Sequence, residues 1–320
     1  MAHNSASRLR NMLAEHGQIV VVLAAIVVMF IGVGLYAPRF LSAANLTTIF
    51  SGNAYIAVAA IGMTMVIITG NIDVSVGALI GVLATIAGTL AVSGWPMWVV
   101  WTAPLVVGAL VNTLAGMLVA YARIPSIVLT LGFMSILKGG LIVVTGGEWI
   151  SGMPPEFFLA QKSLLGLPVP VVITTVLVLV TAWWMASFRF GREIYAVGSN
   201  AEAARAIGIS VERVTVGVFA LHGVFAGIAA VLFATQLSII QSTVPPNLEL
   251  MIITACVIGG VSILGGVGTV IGAALATILF ATITSAMIFT NVSAYWLRAV
   301  IGGLILITVL ADVARRRGQK

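Results

Sequence analysis

The sequence predicts an all-α protein that crosses a membrane about ten times, and three observations carry that expectation. Hydrophobic residues make up 61% of the 320 positions and charged residues only 8%, against roughly 45–50% and ~25% in soluble domains. The apolar residues fall in stretches close to the ~20 residues a helix needs to cross the hydrocarbon. Lys and Arg gather in alternate connections between those stretches. This composition excludes an ordinary soluble enzyme. The +6 net charge flanks apolar runs rather than sharing one polar face, which argues against a nucleic-acid partner. The bilayer is the solvent.

In chain order the expected spans are residues 19–36, 46–70, 74–93, 97–121, 125–145, 168–188, 214–235, 249–264, 268–289 and 295–312. The first run exceeds a typical signal core and no clear small-residue cleavage site follows it, so it is expected to stay as an anchor. Residues 1–18 form a cytoplasmic segment, 19–312 a transmembrane domain and 313–320 a basic cytoplasmic tail. Both termini inside places eleven cations on the inner face: Arg8, Arg10, Arg123, Arg189, Arg192, Arg205, Arg213, Arg315, Arg316, Arg317 and Lys320. The outer face then holds three, Arg39, Lys162 and Arg298, with Lys138 inside a span. An excess of cations on the cytoplasmic side is the expected asymmetry.

Shifting the chain by 191 residues on itself gives identities at Ile61, Val66, Ile67, Val76, Gly77, Ile80 and Gly81, among others, within the 21 positions from Ile61 to Gly81, which suggests an internal repeat. Both segments meet a glycine-rich break. The first holds Gly70, Asn71, Asp73, Ser75 and Gly77; the second holds Gly259, Gly260, Ser262, Gly265, Gly266 and Gly268. Such clusters permit unwound backbone, tolerated at membrane depth only where protein buries it or water reaches it. Asp73 either caps the helix that follows or serves the translocation path or a partner. The pairs Gly77/Gly81, Gly223/Gly227 and Gly268/Gly272 are spaced for close helix approach.

One cytoplasmic loop, 189–213, is long enough to dock a partner. Ser199 followed by Glu202 reads as a capping box. Ala201, Ala203, Ala204 and Ala206 favour helix, and Gly208 supplies a left-handed stop. The expected product is a helix of about eight residues, marginal alone and so held by its own spans or by a cytoplasmic partner. Asn200, Glu202 and Arg205 give it a polar surface.

These residues carry a resemblance. Residues 70–77 resemble the Gly-Gly-Ile-Asp-Leu-Ser-Val-Gly motif of the ribose-type permease subunits of bacterial ATP-binding cassette (ABC) importers, with Asn71 for a glycine and Val74 for the leucine. Residues 195–209 resemble that family's cytoplasmic Tyr-Ala-Ile-Gly-Gly-Asn-x-x-Ala-Ala-Arg-x-x-Gly-Ile segment, with Val197 for the isoleucine and Ser199 for the second glycine. Residues 259–268 are similar to its Gly-Gly-x-Ser-x-x-Gly-Gly-x-Gly segment. The resemblance implies a permease in the bacterial inner membrane that imports a sugar or sugar-derived solute delivered by a periplasmic binding protein. It also implies that the segment from Ser199 to Gly208 is the coupling helix, seated on a cytoplasmic ABC ATPase through Ser199, Asn200, Glu202, Ala203, Ala204, Arg205 and Gly208. A second permease subunit, identical or paralogous, completes the assembly.

The sequence has no Gly-x-x-x-x-Gly-Lys-[Ser/Thr] stretch, so no P-loop of its own. No bound cofactor is expected; ATP and Mg belong to the partner ATPase. His3, His16 and His222 are too scattered for a metal cluster or for a dyad with the single Cys256, and packing is the expected role of His222. The rival reading is an ion-coupled sugar carrier, which would place ionisable residues near the bilayer midplane. Lys138 is the best candidate for such a residue, positioned to snorkel or to reach Glu249. The orientation is tested by labelling single cysteines from the periplasm: position 162 is expected to react and position 199 to stay silent, and labelling at 199 would invert the topology.

Overall fold

The computed structural model describes residues 2–242 and 245–293, with side chains from residue 17 onward, and beyond them the single positions 296, 299, 300, 302, 303, 306 and 310. Apart from those positions, the predicted tenth span 295–312 lies outside the described residues, as do Arg298 and the basic tail 313–320. The side chains of Arg8 and Arg10 are likewise outside. Every long element is a helix. They are α1 (Ala2–Tyr36), α2 (Ala43–Gly52), α3 (Ala54–Ile68), α4 (Val76–Val92), α5 (Met97–Ala120), α6 (Ser126–Thr145), α7 (Val169–Ser187), α8 (Arg189–Ser199), α9 (Ala201–Ala206), α10 (Val211–Ala234), α11 (Leu248–Ile258) and α12 (Val270–Phe289).

Seven stretches among the described residues are long and apolar enough to cross a membrane: Gly17–Tyr36, Ala43–Ile68, Met97–Ala120, Ser126–Thr145, Val169–Ser187, Val211–Ala234 and Val270–Phe289. A helix apolar all round belongs in the interior of a bundle, and α3 is one: Ala57–Ile68 are all buried. It packs against α10, α12 and α11 at the centre. By contrast α1, α5, α6 and α7 turn Val, Leu, Ile and Trp side chains outward, as lipid requires. Glycine sets the closest approaches. A methyl group on Gly223 or Gly227 would overlap the backbone of α5 at Gly108 or Leu105, and one on Gly272 would overlap Gly259.

At one end of the bundle, Ile150–Ser151 pairs antiparallel with Ile239–Ile240, and the Ala160 amide donates to Thr235 Oγ1 at 3.3 Å, so the two long loops at that end cover one another. Ile240 then packs on Gly88, whereas Leu248 and Glu249 pack on Gly77. Those glycines are eleven residues apart on α4, about 16 Å at 1.5 Å per residue. Helix α11 therefore starts well along α4 from the loop pairing, with Asn247 in a left-handed conformation (φ +60°) at its N-cap. This corrects the expected crossing at 249–264. Helix α11 has 11 residues, about 16 Å, and Gly260 at φ +94° ends it where a longer apolar run was read as continuous.

Candidate functional site

The three motifs singled out in the sequence meet at one place. Helix α3 ends at Thr69, and Gly70 takes φ +80°, a region where only glycine is unstrained. The chain stays unwound until Val76. Between α11 and α12 the second break runs from Gly259 to Thr269, with Gly260, Gly265, Gly266 and Gly268 all at positive φ. The Gly266 amide donates to the Ile68 carbonyl at 2.8 Å, joining one break to the other. The end of α8 seats against both. A methyl on Gly198 would overlap the Ile68 carbonyl, one on Gly266 would press on Ser199, and one on Gly265 would come within 3.0 Å of the Gly70 amide. The Tyr195 hydroxyl donates to the Gly268 carbonyl at 3.0 Å. Burial pushes its phenol pKa up, so it keeps its proton for that bond.

Five backbone amides of the first break find acceptors inside the protein, as buried polar groups need. The Gly70 amide bonds Ile67 O, and the Asn71 amide bonds Val66 O. Helix α6 supplies the next acceptors: Ser126 Oγ takes the Ile72 amide at 3.2 Å and Thr130 Oγ1 takes the Val74 amide at 3.0 Å. Asp73 Oδ1 accepts the Ser75 amide at 2.8 Å and the Ser75 hydroxyl at 2.5 Å. Asp73 is thus a local cap, but of the turn ahead of α4 rather than of the helix's own first turn. Its other oxygen, Oδ2, lies 3.4 Å from His222 Nε2 in mid α10, and neither side chain is exposed. His222, expected to pack, is fully buried as packing requires, and its ring faces a carboxylate. Gly77 admits the first turn of α11, where Glu249 Oε1 lies 3.6 Å from Lys138 Nζ.

The coupling segment departs from expectation in two ways. Ser199 is the last residue of α8, and its hydroxyl donates back to Tyr195 O at 2.8 Å. The N-cap is Asn200, whose Oδ1 accepts the Ala203 amide at 3.0 Å. Helix α9 is accordingly six residues long, not about eight. The physical reason is that α8 runs on to Ser199, where Asn200 in extended backbone breaks it and offers the better-placed acceptor. Gly208 (φ +86°) stops α9 as foreseen. Ala204 is buried, while Glu202, Ala203 and Arg205 face outward. Arg205 also bonds Glu212 Oε1 at 2.6 Å, tying α9 to the first turn of α10. Beside it lies a cavity of about 480 Å³, bordered by Thr69, Asn71, Arg123, Ser126, Arg205 and Glu212.

The functional residues missed from sequence are Ser126 and Thr130. Their signal was present: two hydroxyls four residues apart just after Pro125, on the same face of a helix. Elsewhere in the bundle Thr64 bonds Cys256, and Asn112 is fully buried with both amide atoms unpartnered. Thr130→Val removes the acceptor of the Val74 amide, a loss of about 1–3 kcal/mol for a buried unsatisfied group. Purified Thr130→Val protein is expected to melt earlier than Thr130→Ser, which keeps the hydroxyl. A valine variant as stable as wild type would show that the break does not lean on α6.

Comparison with known proteins agrees with this geometry. A family model described as "Branched-chain amino acid transport system / permease component" matches residues 45–309. The chain is similar to the autoinducer 2 import system permease protein LsrC of Salmonella typhi, at 39% identity over 296 residues, covering 92% of this chain and 85% of that one. It is also similar to LsrC of Escherichia coli (strain K12 / DH10B), at 36% identity over 304 residues, covering 95% and 89%. No solved structure matches the chain. The chain therefore belongs to the family of permease components of ABC importers, in its ribose-type branch, and is a transport subunit that passes several times through the bacterial inner membrane.

Proposed function

We propose that this permease imports autoinducer-2 or a closely related sugar-derived solute, handed over by a periplasmic binding protein. On this reading hydrolysis takes place on a separate cytoplasmic ATPase seated on residues 189–213. The observation that carries the substrate is the 36–39% identity to autoinducer-2 permeases over more than nine-tenths of the chain. The description of the family model names branched-chain amino acids, so leucine is the competing chemistry to be tested.

The seating reading draws on α9. Its outward face combines Glu202 and Arg205 with Ile207, which is 76% exposed just past the helix. A large aliphatic group that lipid does not cover, set between charges, fits a cleft on a soluble partner better than open water. ATP and Mg would be held by that partner, and this chain's residues would transmit the motion. Among the described residues no cluster of His, Cys, Asp and Glu is arranged for a metal. A second permease, identical or paralogous, would complete the path. An ion-coupled carrier is not favoured, because the family is that of ABC importers.

The test is uptake by proteoliposomes holding the permease pair and ATPase, with binding protein outside and ATP inside. Labelled autoinducer-2 is expected to accumulate only with ATP, and excess leucine should not compete. Glu202→Ala and Arg205→Glu should lower uptake and ATPase stimulation without affecting insertion, since each removes a charge-assisted contact worth about 1.5–3 kcal/mol. Accumulation driven by an ion gradient without the ATPase would overturn the mechanism, and leucine uptake in place of autoinducer-2 would overturn the substrate.

A further inference from the structure

We propose that His222 is a positioning residue that links the ATPase-facing loop to the first membrane break, with α10 as the rigid rod between them. The inference rests on the ATP-driven reading above and names how this chain would carry the motion.

The lower end of α10 is fastened to the cytoplasmic loop at three points. Ser210 Oγ caps it by accepting the Arg213 amide at 3.4 Å. Arg205 on α9 holds Glu212 at 2.6 Å. The ring of Phe190 on α8 lies against Gly217, where a Cβ would come within 2.7 Å of Cζ. From Glu212 to His222 the helix is unbroken for ten residues, about 15 Å. Along and just beyond that length it is packed backbone to backbone: Phe219 and Gly223 against α5 at Gly116 and Gly108, and His222 itself against Gly62 of α3. A helix so gripped moves with its neighbours as a body rather than bending at one residue.

At the end of this lever stands the carboxylate of the break. Asp73 Oδ1 is used by Ser75, whereas Oδ2 faces His222 Nε2 at 3.4 Å, two buried polar atoms that make no other hydrogen bond among the described residues and lie one small shift from bonding each other. Apolar side chains would join the two elements without desolvating a carboxylate, so packing alone does not call for this pair. A buried polar contact adds registry: one relative position of the elements satisfies it and a slipped one does not. The cytoplasmic loop thus reaches the first break at both ends. Helix α8 touches its beginning at Ile68 through Gly198, and α10 touches its end at Asp73. The two contacts lie on opposite sides of the unwound segment, an arrangement that lets a displacement of the loop change the segment's span.

The experiment measures solute moved per ATP hydrolysed in the full complex, using labelled autoinducer-2, for wild type, His222→Leu, His222→Gln and His222→Asn. Glutamine sets an amide donor near the place of Nε2, whereas the asparagine amide is one methylene too short. The expected result is a ratio at least tenfold below wild type for His222→Leu and His222→Asn, and at least half of wild type for His222→Gln. A wild-type ratio in His222→Leu overturns the inference. Should the leucine variant fail to co-purify with the ATPase, the two amides decide: asparagine equal to glutamine overturns the inference, and glutamine alone retaining the ratio supports it. Wild-type complex that hydrolyses ATP without moving solute overturns the function proposed above, whereas a wild type that couples alongside a fully coupled leucine variant overturns only the role of His222.

Discussion

Unwound backbone inside a membrane has to find its hydrogen-bond partners within the protein, because lipid offers none. Among the described residues the connections from α3 to α4 and from α11 to α12 are unwound, and that rule explains most of what surrounds them. In the first break the amides of Ile72, Val74 and Ser75 are taken by Ser126, Thr130 and Asp73. In the second, Ser262 N bonds Val267 O, Gly265 N bonds Ser262 O, and Gly266 N reaches across to Ile68 O. The last bond makes the two breaks a single unit. An intact pair of helices at this place would need none of these side chains and none of the glycines.

The glycines follow from the same constraint. Gly198, Gly265 and Gly266 lie where α8 and the two breaks come within backbone contact, so a Cβ at any of them would meet peptide atoms, with Ser199 Oγ also in the way at Gly266. Close backbone approach brings the end of α8 against both breaks with no intervening side-chain layer. The paired charges belong to the same region: Lys138 with Glu249 braces the first turn of the short helix α11 against α6.

The membrane class, the breaks and the helical segment within 189–213 were legible because each leaves a local mark: long apolar runs, glycine clusters and a polar segment rich in alanine. The position of Gly208 as a stop was legible for the same reason. What the sequence hid was long-range. The meeting of Gly266 with Ile68 spans almost two hundred residues, and no pattern in either segment names the other. The half-length of α11 was hidden because Glu249 to Leu264 is as apolar as a crossing, and only the positive φ of Gly260 shows where helix gives way. Ser199 was read as the cap in place of Asn200 because a serine followed three residues later by glutamate fits the capping pattern as well as the true arrangement does. His222 was read as packing, since a lone histidine in an apolar span carries no sign of the carboxylate it faces.

Amide hydrogen exchange of the purified protein in a lipid nanodisc tests the central claim most directly, that the glycine-rich breaks are bonded structure and joined to each other. In peptides covering residues 69–75 and 259–269 the bonded amides, Asn71, Ile72, Val74 and Ser75 in the first and Ser262, Gly265 and Gly266 in the second, are predicted to exchange as slowly as the flanking helices α3 and α12, despite being neither helix nor strand. Exchange within seconds in both peptides, at the rate of an open loop, would contradict the account.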